Sequence, residues 1–511
     1  MAFSTVLSAA IQGLHVEMIQ VEADVSNGLP AFHMVGYLSS EVKEASERVR
    51  TAMKNSGFKI PAKKMVINLA PATVRKRGAS FDLPIALSIL ASLEIIPGEK
   101  LKNVMVIGEL SLDGKVREVS GILPIVIEAK RQGCHTCILP RKNAMEGALI
   151  DGISILGADN LGEICQYLNG VLRIEPVAGK KWEVEKSFWT SEMDFSDIQG
   201  QKAVKRAVEV AVSGGHNFLM VGPPGSGKSM IAKRIPTILP PLSIEESMEI
   251  TQIYSVLGMV EEEHPLVLGR PFRSVHHTVT KAALIGGGSI PRPGEISLAH
   301  EGVLFLDELA EFQRPVLEVL RQPLEEREIQ ITRTHGKYTF PANFMLVAAM
   351  NPCPCGNYPD LGKCNCTSSE IQRYLGKISQ PFLDRMDICV ETPKIRYEEL
   401  NSRKRQESSE EIRKRVCYVR KIQKKRYQGT QLSTNAMLGV KMLDEYCYLG
   451  RKEKILMEEA FSALGLTART YHKILKVART IADMEESEMI KEQHLKEAIG
   501  YRTMDKKFWG R

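Results

Sequence analysis

The sequence predicts an α/β protein: a mixed α/β domain, then a parallel-sheet module with a phosphate-binding loop, then a helical tail. Three observations predict it. Gly222-Pro223-Pro224-Gly225-Ser226-Gly227-Lys228-Ser229 fits G-x-x-x-x-G-K-[ST] without a mismatch, between the apolar run Phe218-Leu219-Met220-Val221 and a helical run from Met230. Val303-Leu304-Phe305-Leu306 ends in Asp307-Glu308, as a buried parallel strand does when its acids stand at the ligand-binding carboxyl edge. Composition also shifts along the chain, from alternating short apolar and helical runs to a Leu/Ala/Lys/Glu-rich tail with few glycines.

Residues 1–170 read as mixed α/β. Met65–Leu69 and Val104–Ile107 are candidate strands; Glu41–Asn55 and Phe81–Leu93 are candidate helices. Residues 171–193 are polar and without a period, and read as a linker. The nucleotide module spans 194–393 and the helical domain 394–511, where the charged run Arg403–Lys425 reads as a solvated helix face.

The chain has 511 residues, 43% hydrophobic and 25% charged, which fits a globular protein of two to four domains. No apolar run reaches the ~18 residues needed to span a bilayer. The N-terminus lacks a basic n-region, and ten cysteines without a secretory signal fit a reducing compartment; the expectation is cytoplasmic, with no membrane. A net charge of +7 is compatible with nucleic acid without requiring it.

The phosphate loop predicts a nucleoside triphosphate. Successive N–H groups of Gly222 to Ser229 would cradle its phosphates, Lys228 would reach the β- and γ-phosphates, and Ser229 would ligate Mg²⁺. About 80 residues on, Asp307 would hold Mg²⁺ through water and Glu308 would serve as general base. A second strand, Phe344–Met350, ends at Asn351, which would orient the attacking water or, more blandly, start a turn before Pro352.

These motifs, with Arg270-Pro271-Phe272-Arg273-Ser274-Val275-His276-His277-Thr278, Gly286-Gly287-Gly288, Pro293–His300, Leu306–Leu309 and Phe382–Asp387, resemble an AAA+ ATPase of the magnesium-chelatase-related group. Within it the chain is most similar to the ComM (YifB-like) family. Two departures, Val275 and Ala310 at positions where that family usually has proline, touch no phosphate-handling group. The resemblance implies an AAA+ core with a helical lid, preceded by a domain similar to the Lon protease domain (ribosomal S5-like). It implies ATP and Mg²⁺ as cofactors and a homo-oligomeric ring, a hexamer. It assigns Arg385 as an arginine finger acting on a neighbour's γ-phosphate and Arg469 as the sensor 2 residue of the lid. The competing reading of either arginine is a surface ion pair.

In Lon-like domains a Ser–Lys pair carries proteolysis. Here Ser80 falls where the serine would be, and Ser120–Pro124, where the lysine is expected, contains none. A serine without a base is a poor nucleophile, so Ser80 reads as structural, a helix cap. Arg75-Lys76-Arg77 reads as a phosphate contact or a solvated loop.

Cys353, Cys355, Cys364 and Cys366 suit a tetrahedral Zn²⁺, with an iron–sulfur cluster or free thiols as alternatives. Cys134, Cys137, Cys165, Cys389, Cys417 and Cys447 read as packing.

Two insertions would project into a ring's pore: Phe272–Gly288, with Arg270, Arg273, His276, His277 and Lys281, and the strand–turn–strand Ile331–Tyr338, with Arg333, Lys337 and a turn at Gly336. Basic and aromatic side chains of this kind track nucleic-acid backbones, although His276 and His277 are equally read as buried structural groups. The family resemblance implies single-stranded or branched DNA as the partner, and helicase or branch-migration activity in recombination or natural transformation. A chelatase subunit typically lacks the N-terminal domain, and a protein-remodelling chaperone usually carries an aromatic–hydrophobic pair at its pore loop; these remain the alternatives.

Overall fold

The computed structural model describes residues 2–179, 193–288, 291–333, 336–395, 397–400 and 405–510. The N-terminal part is a seven-stranded mixed sheet. Its spine is a long antiparallel hairpin, Ala2–Gln12 with His15–Ser26, turning at Gly13-Leu14. Lys64–Ala70 pairs antiparallel to the second strand, and Ala31–Val35 runs parallel to it at the edge. On the other side come the parallel strands Val104–Val106, Thr136–Pro140 and Ser154–Ala158. Helices Ala45–Asn55 and Asp82–Ser92 cover one face and Ile122–Arg131 the other, giving two separate apolar cores. The helix expected over Glu41–Asn55 is two, Ser40–Lys43 and Ala45–Asn55.

Two expectations for this domain are corrected. Ser80 is not a cap: helix Asp82–Ser92 is preceded by Phe81 and no side chain caps it. Lys76 is not in a solvated loop, because it is fully buried, its ammonium donates to the Pro71 carbonyl, and burial pulls its pKa down. The first residues of the linker expected over 171–193 belong instead to the N-terminal domain. Ile174 is buried in the N-terminal core and the Val177 N–H donates to Ile155 O at 2.8 Å; residues 180–192 lie outside the described residues.

The second sheet is five parallel strands ordered Phe272–Val275, Val303–Leu306, Met345–Met350, Phe218–Val221, Ile388–Glu391. Four of them are buried along most of their length, and so read in the sequence as uninterrupted apolar runs. One face packs on helix Lys202–Gly214 and, through it, on the C-terminal helices Ser409–Arg426 and Ala468–Met484 in one continuous core. The C-terminal helices are therefore joined to the back of the sheet. The last helix, Thr503–Trp509, crosses to the other core through Met504 and Phe508.

The charged run is likewise not a purely solvated face. Ile412, Val416 and Val419 are buried, Arg415 pairs with Glu209, and Arg420 donates to Val212 O at 2.8 Å; residues 401–404 lie outside the described residues.

The two parts meet where the N-terminal domain lacks its lysine. Gly121 N–H donates to Ser255 O at 2.8 Å, and the buried Glu146 carboxylate accepts from Leu123 N–H at 2.9 Å and Ser255 Oγ at 2.5 Å. A segment that would serve catalysis in a Lon-type domain here docks onto helix Ile244–Val256.

A candidate nucleotide site, an arginine cleft and a cysteine loop

The phosphate loop leaves its strand at the carboxyl edge and turns into helix Lys228–Arg234 through Gly227, whose φ of +86° favours glycine. Lys228 is buried to 8% exposure, and its ammonium donates to Gly222 O at 2.6 Å, Pro223 O at 2.9 Å and Asn351 Oδ1 at 3.1 Å. Burial pulls its pKa down to about 8, opposed by the Asp307 carboxylate. Ser229 Oγ donates to Asp307 Oδ2 at 2.6 Å. The sequence motifs thus converge: Lys228, Ser229, Asp307 and Asn351 stand together at one edge, and Glu308 follows Asp307 with its side chain 58% exposed.

These residues fit a nucleoside triphosphate with magnesium. A serine hydroxyl beside a carboxylate is a hard-oxygen donor set. Ser226 Oγ is buried in the loop without a hydrogen-bond partner.

Sequence reasoning missed one neighbour. His277 Nδ1 lies 3.3 Å from Glu308 Oε2, and the His276 and His277 rings pack 4.0 Å apart. Neither is a buried structural group: His276 is exposed and His277 half-buried. The available signal was that the His-His pair follows strand Phe272–Val275, parallel to the Asp307 strand.

Arg385 and Arg469 are elsewhere. Asn217 Nδ2 donates to Arg385 O at 3.0 Å, and Asp387 N–H donates to Asn217 O at 3.0 Å, which fixes Arg385 at the amino edge of the sheet. Four strand residues, about 13 Å, separate that edge from the phosphate loop. The Arg385 guanidinium is buried, donates to Pro381 O at 2.7 Å and pairs with Glu325. Arg469, 62% exposed, has Nη1 at 3.9 Å from Asp384 Oδ2. Both arginines line one cleft of about 450 Å³ with Asp387 and Lys473. Lys473 Nζ sits 2.7 Å from the Asp387 carboxylate; burial alone would raise that carboxyl, but Lys473 and His216 hold it far below the usual range.

The basic insertions divide into tied and exposed cations. Arg273 forms a two-pronged pair with Glu295 at 2.7 and 2.9 Å, and Arg270 is held by Glu246, Glu301 and Pro240 O. Both are structural, which corrects their placement among backbone-tracking groups. Lys281, Arg333 and Lys337 are exposed. The hairpin pairs Glu328–Arg333 with Gly336–Pro341, so Gly336 begins the returning strand and is not the turn; Thr334 and His335 lie outside the described residues. Tyr338 is buried in the core and offers no face to a base.

The four cysteines do converge. Sγ–Sγ distances are 3.4 Å for Cys353–Cys355, 3.8 Å for Cys353–Cys364 and 3.6 Å for Cys355–Cys364, and all four sulfurs including that of Cys366 lie within 4.8 Å of one another. A tetrahedron of thiolates 2.3 Å from zinc has edges of about 3.8 Å. A backbone hydrogen bond at Asn357 holds the Cys355 thiol down at about 6. The loop touches the nucleotide site, since a side chain at Gly356 would run into the Pro224 ring at 2.3 Å. Cys134, Cys137, Cys165, Cys389 and Cys447 are buried as expected of packing, and Cys417 half-buried.

Three family models match the chain in order: "Subunit ChlI of Mg-chelatase" over residues 21–143, "Magnesium chelatase, subunit ChlI" over 194–400, and "Magnesium chelatase, subunit ChlI C-terminal" over 406–502. The competence protein ComM of Haemophilus influenzae is 42% identical over 508 residues, covering 99% of this chain and 98% of its own. The YifB protein of Escherichia coli is 43% identical over 508 residues, with the same coverage. Lon protease 2 of Bacillus subtilis is 29% identical over 148 residues, 29% of this chain and 26% of its own. No helix among the described residues is long and apolar enough to cross a membrane.

Proposed function

The chain belongs to the ComM/YifB family of magnesium-chelatase-related AAA+ ATPases, and from that premise we propose that it is an ATP-driven ring motor acting on DNA, a helicase or branch-migration factor in recombination or natural transformation. The observation that carries the reading is the division of the ATP chemistry between two edges of one sheet. Lys228, Ser229 and Asp307 would hold the triphosphate and its magnesium, which supplies charge neutralisation at the phosphates. Glu308 would take the proton of the attacking water, with His277 3.3 Å from its carboxylate and Asn351 placing the water. Arg385 and Arg469 would complete the site of a neighbouring subunit, so the working form is a homo-oligomeric ring, a hexamer. The four-cysteine loop would carry one structural zinc ion. The protein would work in the cytoplasm.

DNA is favoured by the exposed cations Lys281, Arg333 and Lys337 on the two insertions, and by the name of the Haemophilus relative as a competence protein. The Lon likeness of the N-terminal domain favours a second reading, protein remodelling. The buried Tyr338 weighs against it, since the described part of the hairpin presents no exposed aromatic. ATP turnover measured alone and with single-stranded DNA, branched DNA, casein or a porphyrin separates the readings. Stimulation by DNA, strongest with branched DNA, is expected. Stimulation by casein with indifference to every DNA would install the protein-remodelling reading instead.

A further inference from the structure

At the end of the N-terminal sheet farthest from the ATPase core lies a cleft of about 790 Å³, between the edge strand Ala31–Val35, helix Ala45–Asn55 and the following loop. Arg50, Lys54, Lys59 and Lys63 line it, all exposed, with Glu47 as the one acid and half-buried Phe58 in the wall. Among the described residues none of the four cations has a carboxylate at ion-pair distance. Arg48, on the same helix, shows the contrast: it is a structural cation, tied at 2.8 and 2.9 Å to the buried Asp82. Four unpaired cations around one concavity repel one another, and such an arrangement is relieved by a polyanion.

The position of the cleft gives it a use. The hairpin turn at Leu14 packs into the cluster that holds Tyr338 and Phe340 of the basic hairpin Glu328–Pro341. From that turn the strand His15–Ser26 runs away from the core, and Ser26 at its far end pairs with Lys64, next to Lys63. Twelve strand residues reach about 37 Å. A DNA strand held by Arg333 and Lys337 would therefore meet the cleft about eleven nucleotide steps further on at the 3.4 Å spacing of a duplex, and about six when extended as a single strand.

We propose that this cleft is a second nucleic-acid site, which grips the sugar–phosphate backbone of the DNA strand that the ATPase hairpins engage. The inference rests on the DNA reading above and extends it to the domain that has no catalytic lysine. The contacts are to phosphates, so the site is tolerant of sequence and sensitive to salt.

The test uses the full-length protein with Arg50, Lys54, Lys59 and Lys63 all changed to alanine. Binding to single-stranded DNA of about 5 and about 40 nucleotides is measured across a salt series. On the long strand the slope of log affinity against log salt should become shallower by about 2–3 units, at ~0.7 per phosphate lost. On the short strand, which cannot span both sites, wild type and variant should agree. As a readout that needs no variant, photo-crosslinking of wild-type protein to a long thiothymidine-substituted strand should label residues 47–65. Wild type that binds long DNA, with an unchanged slope in the variant and no label on 47–65, overturns the cleft and leaves the DNA reading standing. Wild type that binds no DNA removes both. Loss of anionic-vesicle or polyglutamate binding in the variant, with DNA binding unchanged, would also overturn the proposal and assign the cleft to another polyanion.

Discussion

At the carboxyl edge of the five-stranded sheet, Lys228 with Asn351 and Ser229 with Asp307 are linked by hydrogen bonds of 3.1 and 2.6 Å. At the amino edge, Arg385 pairs with Glu325 and donates to the Pro381 carbonyl, and Arg469 stands 3.9 Å from the Asp384 carboxylate. The first edge holds the groups that the sequence assigns to a triphosphate, and neither of the two assigned arginines. The second holds the two arginines in a cleft with Lys473 and Asp387, away from the phosphate loop. The strands between are four to six residues long and rigidly paired, so no side-chain rotation brings the edges together. A second copy of the chain can: its carboxyl edge would present phosphates to the first copy's arginines. On the proposed reading, in which these arginines act on a neighbour's phosphates, the division would make oligomerisation a requirement of the chemistry and couple each site to its neighbour.

The most severe test attacks that division. Arg385→Ala should lower ATP turnover by about 10³-fold or more while nucleotide binding persists, because an arginine finger acts on transition-state charge. Glu308→Gln should also bind ATP, and turn over about 10²–10⁴-fold more slowly for loss of its base. The two edges then differ on mixing. Arg385→Ala combined with Lys228→Ala should regain activity, since some interfaces of a mixed ring contain both intact groups. A mixture as inactive as its parts, or a chain that stays monomeric with ATP and DNA, would break the comparison. Glu325 loses its partner in the arginine variant, so its melting temperature is measured alongside.

The cysteine loop sharpens the account of the carboxyl edge. It follows Asn351 by two residues and presses on Pro224 through Gly356. Elemental analysis of dialysed wild-type protein should find one zinc per chain, and Cys364→Ser should lose it. It should lower the melting temperature by several degrees and ATP affinity by less, because a bound metal would fix the loop while the loop only buttresses the phosphate cradle. Metal-free wild type with full stability and activity would remove the zinc.

Most of the carboxyl edge was legible in the sequence, and for a physical reason. Parallel strands buried on both faces must be apolar throughout, so Phe218–Val221 and Val303–Leu306 announce themselves, and their polar termini mark where ligands reach the sheet. Local motifs also fixed the cysteine loop. What was not legible depends on partners distant along the chain. Arg273 reads as a free cation until Glu295 is seen beside it, and Arg270 until Glu246 and Glu301 are. Tyr338 reads as a stacking platform until Leu14, more than 300 residues earlier, joins its cluster. The helical tail reads as a separate domain because nothing local in Ile474 or Val416 shows that they share a core with Phe218. His277 reads as either buried or exposed for the same reason, since its neighbour Glu308 lies at the end of the adjacent strand.

The smallest predicted effect lies off both edges, and it asks whether the motor's grip can be separated from its chemistry. Lys337 is exposed one residue into the returning strand of the basic hairpin, opposite Thr332. The hairpin rises from core residues Ile329, Ile331, Tyr338 and Phe340, so its base is fixed while Lys337 faces solvent. Lys337→Ala removes one charge without disturbing that base. If Lys337 holds one phosphate, the salt slope of DNA binding should fall by about 0.7 on single strands and 0.9 on duplex, equally for every sequence. Unwinding or branch migration should fall further than binding, because translocation needs the grip at every step whereas equilibrium binding averages over several contacts. DNA-stimulated ATP turnover should drop with it, and turnover without DNA should change least, since Lys228 and Asp307 sit at the sheet edge and not on the hairpin. A Lys337→Ala protein with wild-type slope and wild-type strand displacement would show that the hairpin is not the grip, and would shift attention to Lys281 on the neighbouring insertion.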